Sequence, residues 1–192
     1  MAVEERQRLS LAFQELTDLP PKCIRQYADT LEELDLSHNQ FSEMRCLENF
    51  KRLDTLILDN NNVKSHTKFP PLNSLTTLWV NHNKIANLTV FVDNLVKSFP
   101  KLRYLCMMNN PAAPSYFNGG TYQQYRDYRQ YVISQLPHLQ ALDDNKIDVD
   151  ERREAERIYR QLPAPSPSST NPARKKKSKR RKSKMADNLE AT

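Results

Sequence analysis

The stretch LDTLILDNNNV, residues 53–63, closes an apolar run with four small polar residues, Asp59, Asn60, Asn61 and Asn62. Such a run can be a metal loop, a turn, or one copy of a repeated element. A hard cation needs several oxygens converging from one loop, usually with a glycine that lets the loop turn sharply. This stretch offers one carboxylate and no glycine. Recurrence decides the matter. LEELDLSHNQF (31–41), LDTLILDNNNV (53–63) and LTTLWVNHNKI (75–85) start 22 residues apart, and LRYLCMMNNPA (102–112) follows after 27. Each copy carries apolar residues at relative positions 1, 4 and 6 and an asparagine at position 9, namely Asn39, Asn61, Asn83 and Asn110.

This is the pattern L-x-x-L-x-L-x-x-N-x-L of leucine-rich repeats. It predicts an α/β solenoid: a short parallel sheet on the concave face, a helical or irregular convex side, and a helical C-terminal cap. Positions 4 and 6 point inward from a short strand that stacks on its neighbours. Where the chain leaves the strand, backbone N–H and C=O groups are freed inside the stack. An inward asparagine supplies two donors and an acceptor to satisfy them. Asn39, Asn61, Asn83 and Asn110 are therefore read as a structural ladder. Asp59 and Asn60 precede the turn and are expected to point outward, so that replacing Asn60 with alanine should matter little.

LSLAFQELTDLP reads as a degenerate first copy, with Leu9 and Leu11 on the strand and Gln14 in place of asparagine. Terminal repeats are atypical because they cap the stack. The third interval is longer, and Phe91, Val92, Leu95 and Phe99 recur near helical spacing, which predicts a helix ending before Pro100. The 111–122 loop holds both glycines of the chain, Gly119 and Gly120, and so predicts an unusual backbone turn there. Residues 124–161 then read as helix, strand, helix. The expected organisation is an N-terminal extension (1–8), a repeat domain including its cap (9–147), a C-terminal helix (148–162) and a disordered Pro/Ser/Lys-rich basic tail (163–192). The tail is too poor in apolar residues to offset chain entropy.

The net charge of +6 belongs to that tail. Residues 163–192 carry +7 and the rest of the chain −1. Cys23, Cys46 and Cys106 form no C-x-x-C pair, so neither a zinc knuckle nor a disulfide framework is indicated, and they read as free thiols. No apolar run is long enough to span a bilayer, and the first ten residues lack a secretory core. A cytoplasmic or nuclear protein is expected.

YRQYVISQLPHLQALDD resembles the C-terminal cap of short intracellular leucine-rich repeat proteins, among them a spliceosomal subunit and phosphatase regulators. The combination of LDLSHNQF, LILDNNNV, the long interval IANLTVFVDNLVKSFPKLRYL and a Tyr-Arg cap most resembles members of the melanocyte differentiation-associated type. That resemblance covers roughly residues 9–158. It implies a non-enzymatic cytoplasmic adaptor in membrane trafficking to pigment-type organelles, with a trafficking GTPase or complex as partner. The Pro-rich basic tail departs from it.

Candidate chemistry is sparse. His38 and His82 occupy one repeat position in alternate copies, about 10 Å apart, too far to share a metal. Ser37-His38 has no acidic orienter or oxyanion loop for a nucleophilic triad. Asp143, Asp144, Asp148 and Asp150 suit the start of the last helix. No P-loop or dinucleotide fingerprint is present. Neither enzyme activity nor a metal or other cofactor is expected.

The outward strand positions carry more. The middle column runs Asp35, Ile57, Trp79 and Cys106, and with Tyr104 and Met108 it predicts a continuous apolar strip on the concave face. Trp79 is the only tryptophan. Apolar patches with aromatic anchors mark interfaces, so Ile57, Trp79, Tyr104, Cys106 and Met108, edged by Asp35 and Asp59, are expected to bind a protein partner. The alternative is that the 111–122 loop covers them. The chain is read as a monomer. In the tail, Arg174, Lys175, Lys176, Lys177, Lys179, Arg180, Arg181, Lys182 and Lys184 form a run suited to an import receptor, an anionic membrane or RNA. The absence of an aromatic in that run weakens sequence-specific RNA recognition. A nuclear RNA-associated subunit is thus the rival to the adaptor.

Overall fold

The computed structural model describes residues 6–160. The run 174–184, and the tail expected from residue 163, lie outside them. Seven short strands form one sheet in chain order: β1 (Arg8–Ser10), β2 (Glu33–Asp35), β3 (Thr55–Ile57), β4 (Thr77–Trp79), β5 (Tyr104–Cys106), β6 (Ala141–Leu142) and β7 (Asn145–Lys146). The first six are parallel and in register, so that Leu9, Leu34, Leu56, Leu78, Leu105 and Leu142 form one row across the sheet. Apart from half-buried Leu9, these leucines are buried, and the row is the spine of the core. This is an α/β leucine-rich repeat solenoid.

The convex side follows the interval lengths. The 22-residue interval after β2 has room only for a 3₁₀ turn at Arg45–Asn49, which buries Leu47 and is followed by buried Phe50. The longer interval before β5 admits a true helix, α2 (Leu88–Ser98). Asn87 caps it by accepting the Val90 N–H, and Phe91, Val92 and Leu95 are buried on one face. Phe69 packs edge-on against Phe91 and Phe99, joining this helix to the preceding repeat.

The interval between β1 and β2 carries α1 (Pro21–Tyr27), entered with proline in its first turn, which packs Cys23, Ile24 and Tyr27 against the core. The sequence pattern does not announce it: it is seven residues long and buries no residue fully. At the C-terminal end α3 (Tyr122–Gln135) and α4 (Val149–Arg160) pair over the last strands. Between them β6 turns back into antiparallel β7 through Asp143 and Asp144 alone, both with positive φ. Two successive left-handed residues are what a two-residue hairpin loop requires. The 111–122 loop turns at Gly119, φ +80°, and a side chain on Gly120 would collide with Pro114 and the Ser115 backbone. Both glycines are thus placed where another residue would be strained.

Candidate interaction face

The ladder asparagines make nearly the same bonds in every repeat. Each donates from Nδ2 to its own position-6 carbonyl and to that of the preceding repeat. For Asn61 these are Leu58 and Leu36, at 3.2 and 2.9 Å. Asn39 reaches Leu36 and Leu11, Asn83 reaches Val80 and Leu58, and Asn110 reaches Met107 and Val80. Each Oδ1 accepts an N–H of the preceding repeat: Leu16 and Gln14 for Asn39, Phe41 for Asn61, Val63 for Asn83, Ile85 for Asn110. All four side chains are buried. Every asparagine thus serves the repeat before it. Past the last copy, the Met107 N–H finds Asp143 Oδ1 at 2.9 Å, where the equivalent N–H groups of Leu58 and Val80 pair with a carbonyl of the next strand.

Beside the ladder runs a second feature, which the repeat pattern alone does not reveal. Position 8 of each copy has a left-handed backbone: Phe13, His38, Asn60, His82 and Asn109 have φ between 52° and 59°. His38 and Asn60 meet at 3.3 Å, His82 and Asn109 at 3.0 Å, and Phe13 stacks on His38 with ring centroids 4.0 Å apart. The expectation that Asn60 is replaceable at little cost is corrected by this. A left-handed φ disfavours a residue with a Cβ, and asparagine tolerates it better than most.

The concave face divides in two. On the side of β1 and β2 the polar groups bind one another. The Asp35 carboxylate accepts from Ser37 N and Oγ at 3.0 and 2.7 Å and from Ser10 Oγ at 3.0 Å. Burial alone would raise its pKa, but those hydrogen bonds, with Arg8 nearby, outweigh it and hold the carboxyl below its ordinary value. Arg8 pairs with Glu33, and Arg6 reaches Asp54. The expected partner contacts Asp35 and Asp59 are therefore already engaged. Asp59 accepts from the backbone and side chain of Asn81, at 2.8 and 3.2 Å, and Asn81 Oδ1 in turn accepts the Met108 N–H at 2.8 Å.

On the side of β4 and β5 the face is apolar and open. Trp79 is 41% exposed, Tyr104 42% and Met108 37%, and Ile57 is half-buried. The 111–122 loop does not bury Trp79. Cys106, however, does not belong to an exposed strip. It is 3% exposed, because β6 and the Asp143-Asp144 turn close over the far side of β5. Burial, then the charges of Asp143 and Asp144, pushes its thiol up to about 12. It stays protonated at neutral pH and is a poor nucleophile. The continuous strip becomes an exposed methionine and, apart from it, two rings beside a recess with Cys106 in its floor.

The recess is held by the cap. Asp143 is buried, and its second oxygen accepts from Tyr128 Oη at 2.7 Å. Burial raises its pKa; the bonds from Met107 and Tyr128 and the charge of Arg129 oppose this without cancelling it. Arg129, 6% exposed, forks onto Glu151 at 2.7 and 2.9 Å and donates to the Leu142 carbonyl at 2.9 Å. Arg152 closes the other end, reaching the carbonyls of Ile133 at 3.2 Å and of Leu139. Of the acidic cluster, Asp148 does cap α4 by accepting the Glu151 N–H, and Asp150 lies in its first turn. Asp143 and Asp144 do not: they make the hairpin. Among the described residues no group of His, Cys, Asp and Glu is arranged to hold a metal, and no helix is long and apolar enough to cross a membrane.

A leucine-rich repeat family model matches residues 22–166. The human leucine-rich melanocyte differentiation-associated protein is 38% identical over 127 residues, 64% of either chain. The U2 small nuclear ribonucleoprotein A' of Arabidopsis thaliana is 32% identical over 136 residues, 68% of this chain and 49% of that one. The chain thus spans about half to two thirds of the length of these curated relatives. Among solved structures, a chain of the Drosophila melanogaster SNF/U2A' complex superposes with a TM-score of 0.64 at 23% identity, covering 80% of this chain and 81% of that one. That likeness speaks for the fold.

Proposed function

The chain belongs to the leucine-rich repeat family, a family of protein interaction modules, and from that premise we propose that it is a non-enzymatic adaptor whose partner seats on the concave face around Trp79. One observation carries the reading. Trp79 and Tyr104 stand about two-fifths exposed on adjacent strands of a rigid sheet, while the polar side chains on the β1–β2 side are bonded to one another. Large rings held on strands, with little conformational freedom left to lose, are the residues that dominate binding energy at interfaces. The likeness to the melanocyte differentiation-associated protein supports a part in cell differentiation.

A second reading is favoured by the relatives named as U2 small nuclear ribonucleoprotein A', and by the solved neighbour being one half of a complex with SNF. Here the chain is a nuclear subunit whose partner is an RNA-associated protein. The two readings separate by direct measurement. Purified full-length chain and its Trp79→Ala variant are titrated with the SNF protein, and the chain is localised with and without residues 163–192. Binding to SNF that depends on Trp79, with nuclear accumulation, replaces the adaptor reading by the nuclear one. No binding to SNF and a cytoplasmic location uphold the adaptor reading. Partners cross-linked through a photoreactive residue at Thr77 should be lost on Trp79→Ala if the concave face is the seat. Partners retained undiminished would place the seat elsewhere.

A further inference from the structure

The recess beside Trp79 has a shape and a charge that name its occupant. It is a slot of about 180 Å³, walled by Trp79 and Tyr104, floored by Cys106 and rimmed by Thr77, Ala141 and Asp144. Thr77 pairs with Tyr104 and Trp79 with Cys106. The two rings are thus one strand over and two residues along from each other, which sets their Cβ atoms roughly 8 Å apart. Side chains rising from Cβ atoms that far apart leave room between them for one planar group in van der Waals contact with both. Tyr104 is fixed, its hydroxyl donating to Gln140 Oε1 at 2.9 Å. Ala141, small at the rim, leaves the mouth open. Asp144 is exposed, set by its left-handed backbone in the hairpin turn, and among the described residues it forms no salt bridge. Its neighbour Asp143 is already taken by Tyr128 and Met107.

We propose that this slot receives the guanidinium of an arginine on the protein partner, stacked between Trp79 and Tyr104 and paired with Asp144. The assignment rests on the concave face being the binding face. Arginine is the one side chain that is planar, permanently charged, content against aromatic faces and able to fork onto a carboxylate. An aliphatic or aromatic side chain would fill the space but leave the Asp144 carboxylate facing apolar atoms. Lysine matches the charge but is a compact, strongly hydrated point that gains less from two flat walls. The negative field reaches the floor of the slot, where Asp144 is one of the two carboxylates that help hold the Cys106 thiol protonated.

The test pans a displayed library of random linear peptides against the full-length chain, with counter-selection on its Trp79→Ala variant. Surviving peptides should share one arginine. Replacing it with citrulline, which keeps the shape and drops the charge, should weaken binding tenfold or more, and replacing it with lysine by a smaller factor. On the protein, Asp144→Asn and Ala141→Leu should each weaken the same peptides at least tenfold while the circular dichroism and melting curve of the free chain are unchanged. Asp144→Arg should bind the peptide whose arginine is changed to glutamate. Peptides that need Trp79 but carry no shared arginine, or that ignore Asp144→Asn, would overturn the arginine assignment and leave the binding face standing. No peptide depending on Trp79 would overturn both. A shift in the emission of Trp79 in the free full-length chain, on changing the nine basic residues of 174–184 to glutamine, would give the slot to the chain's own tail and overturn the partner assignment.

Discussion

The two halves of the concave face have the same backbone and opposite economies. On the β1–β2 side, Ser10, Asp35 and Ser37 satisfy one another, and Arg6 and Arg8 pair with Asp54 and Glu33. A partner arriving there must break bonds before it makes any. On the β4–β5 side, Trp79, Tyr104 and Met108 have no such prior engagement to lose as apolar surface, and Asp144 at their edge forms no salt bridge among the described residues. Outward position in a repeat therefore says where a side chain points, whereas its bonds to neighbouring repeats say whether it is available. Asp35 and Asp59 point outward and are engaged; Trp79 points outward and is not.

The comparison depends on the cap that shapes the open half, so breaking the cap should have the largest effect. Removing one member of a fully buried, bonded ion pair strands the other charge and costs about 3–5 kcal/mol; Glu151 keeps 25% of its side chain in water, which places Arg129→Ala at the lower end of that range. Arg129→Ala should therefore lower the melting temperature more than Asn61→Ala or Asn60→Ala does, because Glu151 and the Leu142 carbonyl both lose their donor. Arg129→Met with Glu151→Leu should recover much of the loss, since an apolar pair carries no stranded charge. A single substitution as mild as the double one would mean that the pair is solvated and the cap is held by its apolar residues alone.

Next in size comes the open half itself. As a central aromatic anchor Trp79 should contribute at least ~2 kcal/mol to partner binding, so Trp79→Ala should weaken it tenfold or more without lowering the melting temperature. Ser10→Ala, on the closed half, should leave binding within twofold. Equal losses from both, measured by titration calorimetry on one partner, would erase the distinction between the halves.

The interior ladder is common to both halves and offers an internal standard. Asn61→Ala leaves the buried Phe41 N–H without its acceptor and takes one of the two asparagine donors from each of the Leu36 and Leu58 carbonyls, at about 1–3 kcal/mol. Asn60→Ala puts a poorly suited residue at φ 55°, at about 1 kcal/mol, and Asn60→Gly should recover most of that because glycine adopts this φ freely. If Asn60→Gly is no more stable than Asn60→Ala in denaturant, the cost lies in the lost contact with His38 and not in the backbone.

How much of the fold and the face is legible in the sequence follows from the range of the interactions. The strand row, the asparagine ladder and the helix before Pro100 are written in local spacing, and spacing survives in a sequence. The direction of Trp79 follows from its place between Leu78 and Val80, and the structure buries both of those. The fate of Cys106 does not follow, because β6 and the hairpin lie some 35 residues further along. Arg129 with Glu151 and Tyr128 with Asp143 are illegible for the same reason: charged and phenolic groups in a helical stretch look like a solvated face until a second helix is laid over them. The backbone strain at position 8 has a local signal in the recurring His and Asn, residues that tolerate positive φ, but that signal is shared with any exposed turn. The slot at Asp144 combines three strands and a turn, so no single stretch could announce it.

The smallest expected effect sets Asp35, on the closed half, against Asp143, beneath the open one. Both carboxyls lose hydration on folding, but different forces win. At Asp35 the hydrogen bonds from Ser37 and Ser10 overcome burial, and its pKa lies below the ordinary 3.8. Its ionised form is therefore favoured by folding, and that stabilisation is present above about pH 4 and lost as pH falls through the lowered pKa. At Asp143 burial prevails over the bonds from Met107 and Tyr128, and its pKa lies above 3.8. Folding favours its protonated form, so the contribution is fully present below about pH 4 and is lost as pH rises through the raised pKa. Asparagine at either position removes the titration while keeping the shape and one acceptor. The stability of the wild type relative to Asp35→Asn should shrink on acidification from about pH 6 to 3, and relative to Asp143→Asn it should grow. Denaturant unfolding of the three proteins across that range measures both slopes. Opposite signs sharpen the contrast between a face held by its own hydrogen bonds and one supported by a buried cap; slopes of the same sign would mean that the two carboxyls are governed by one force after all.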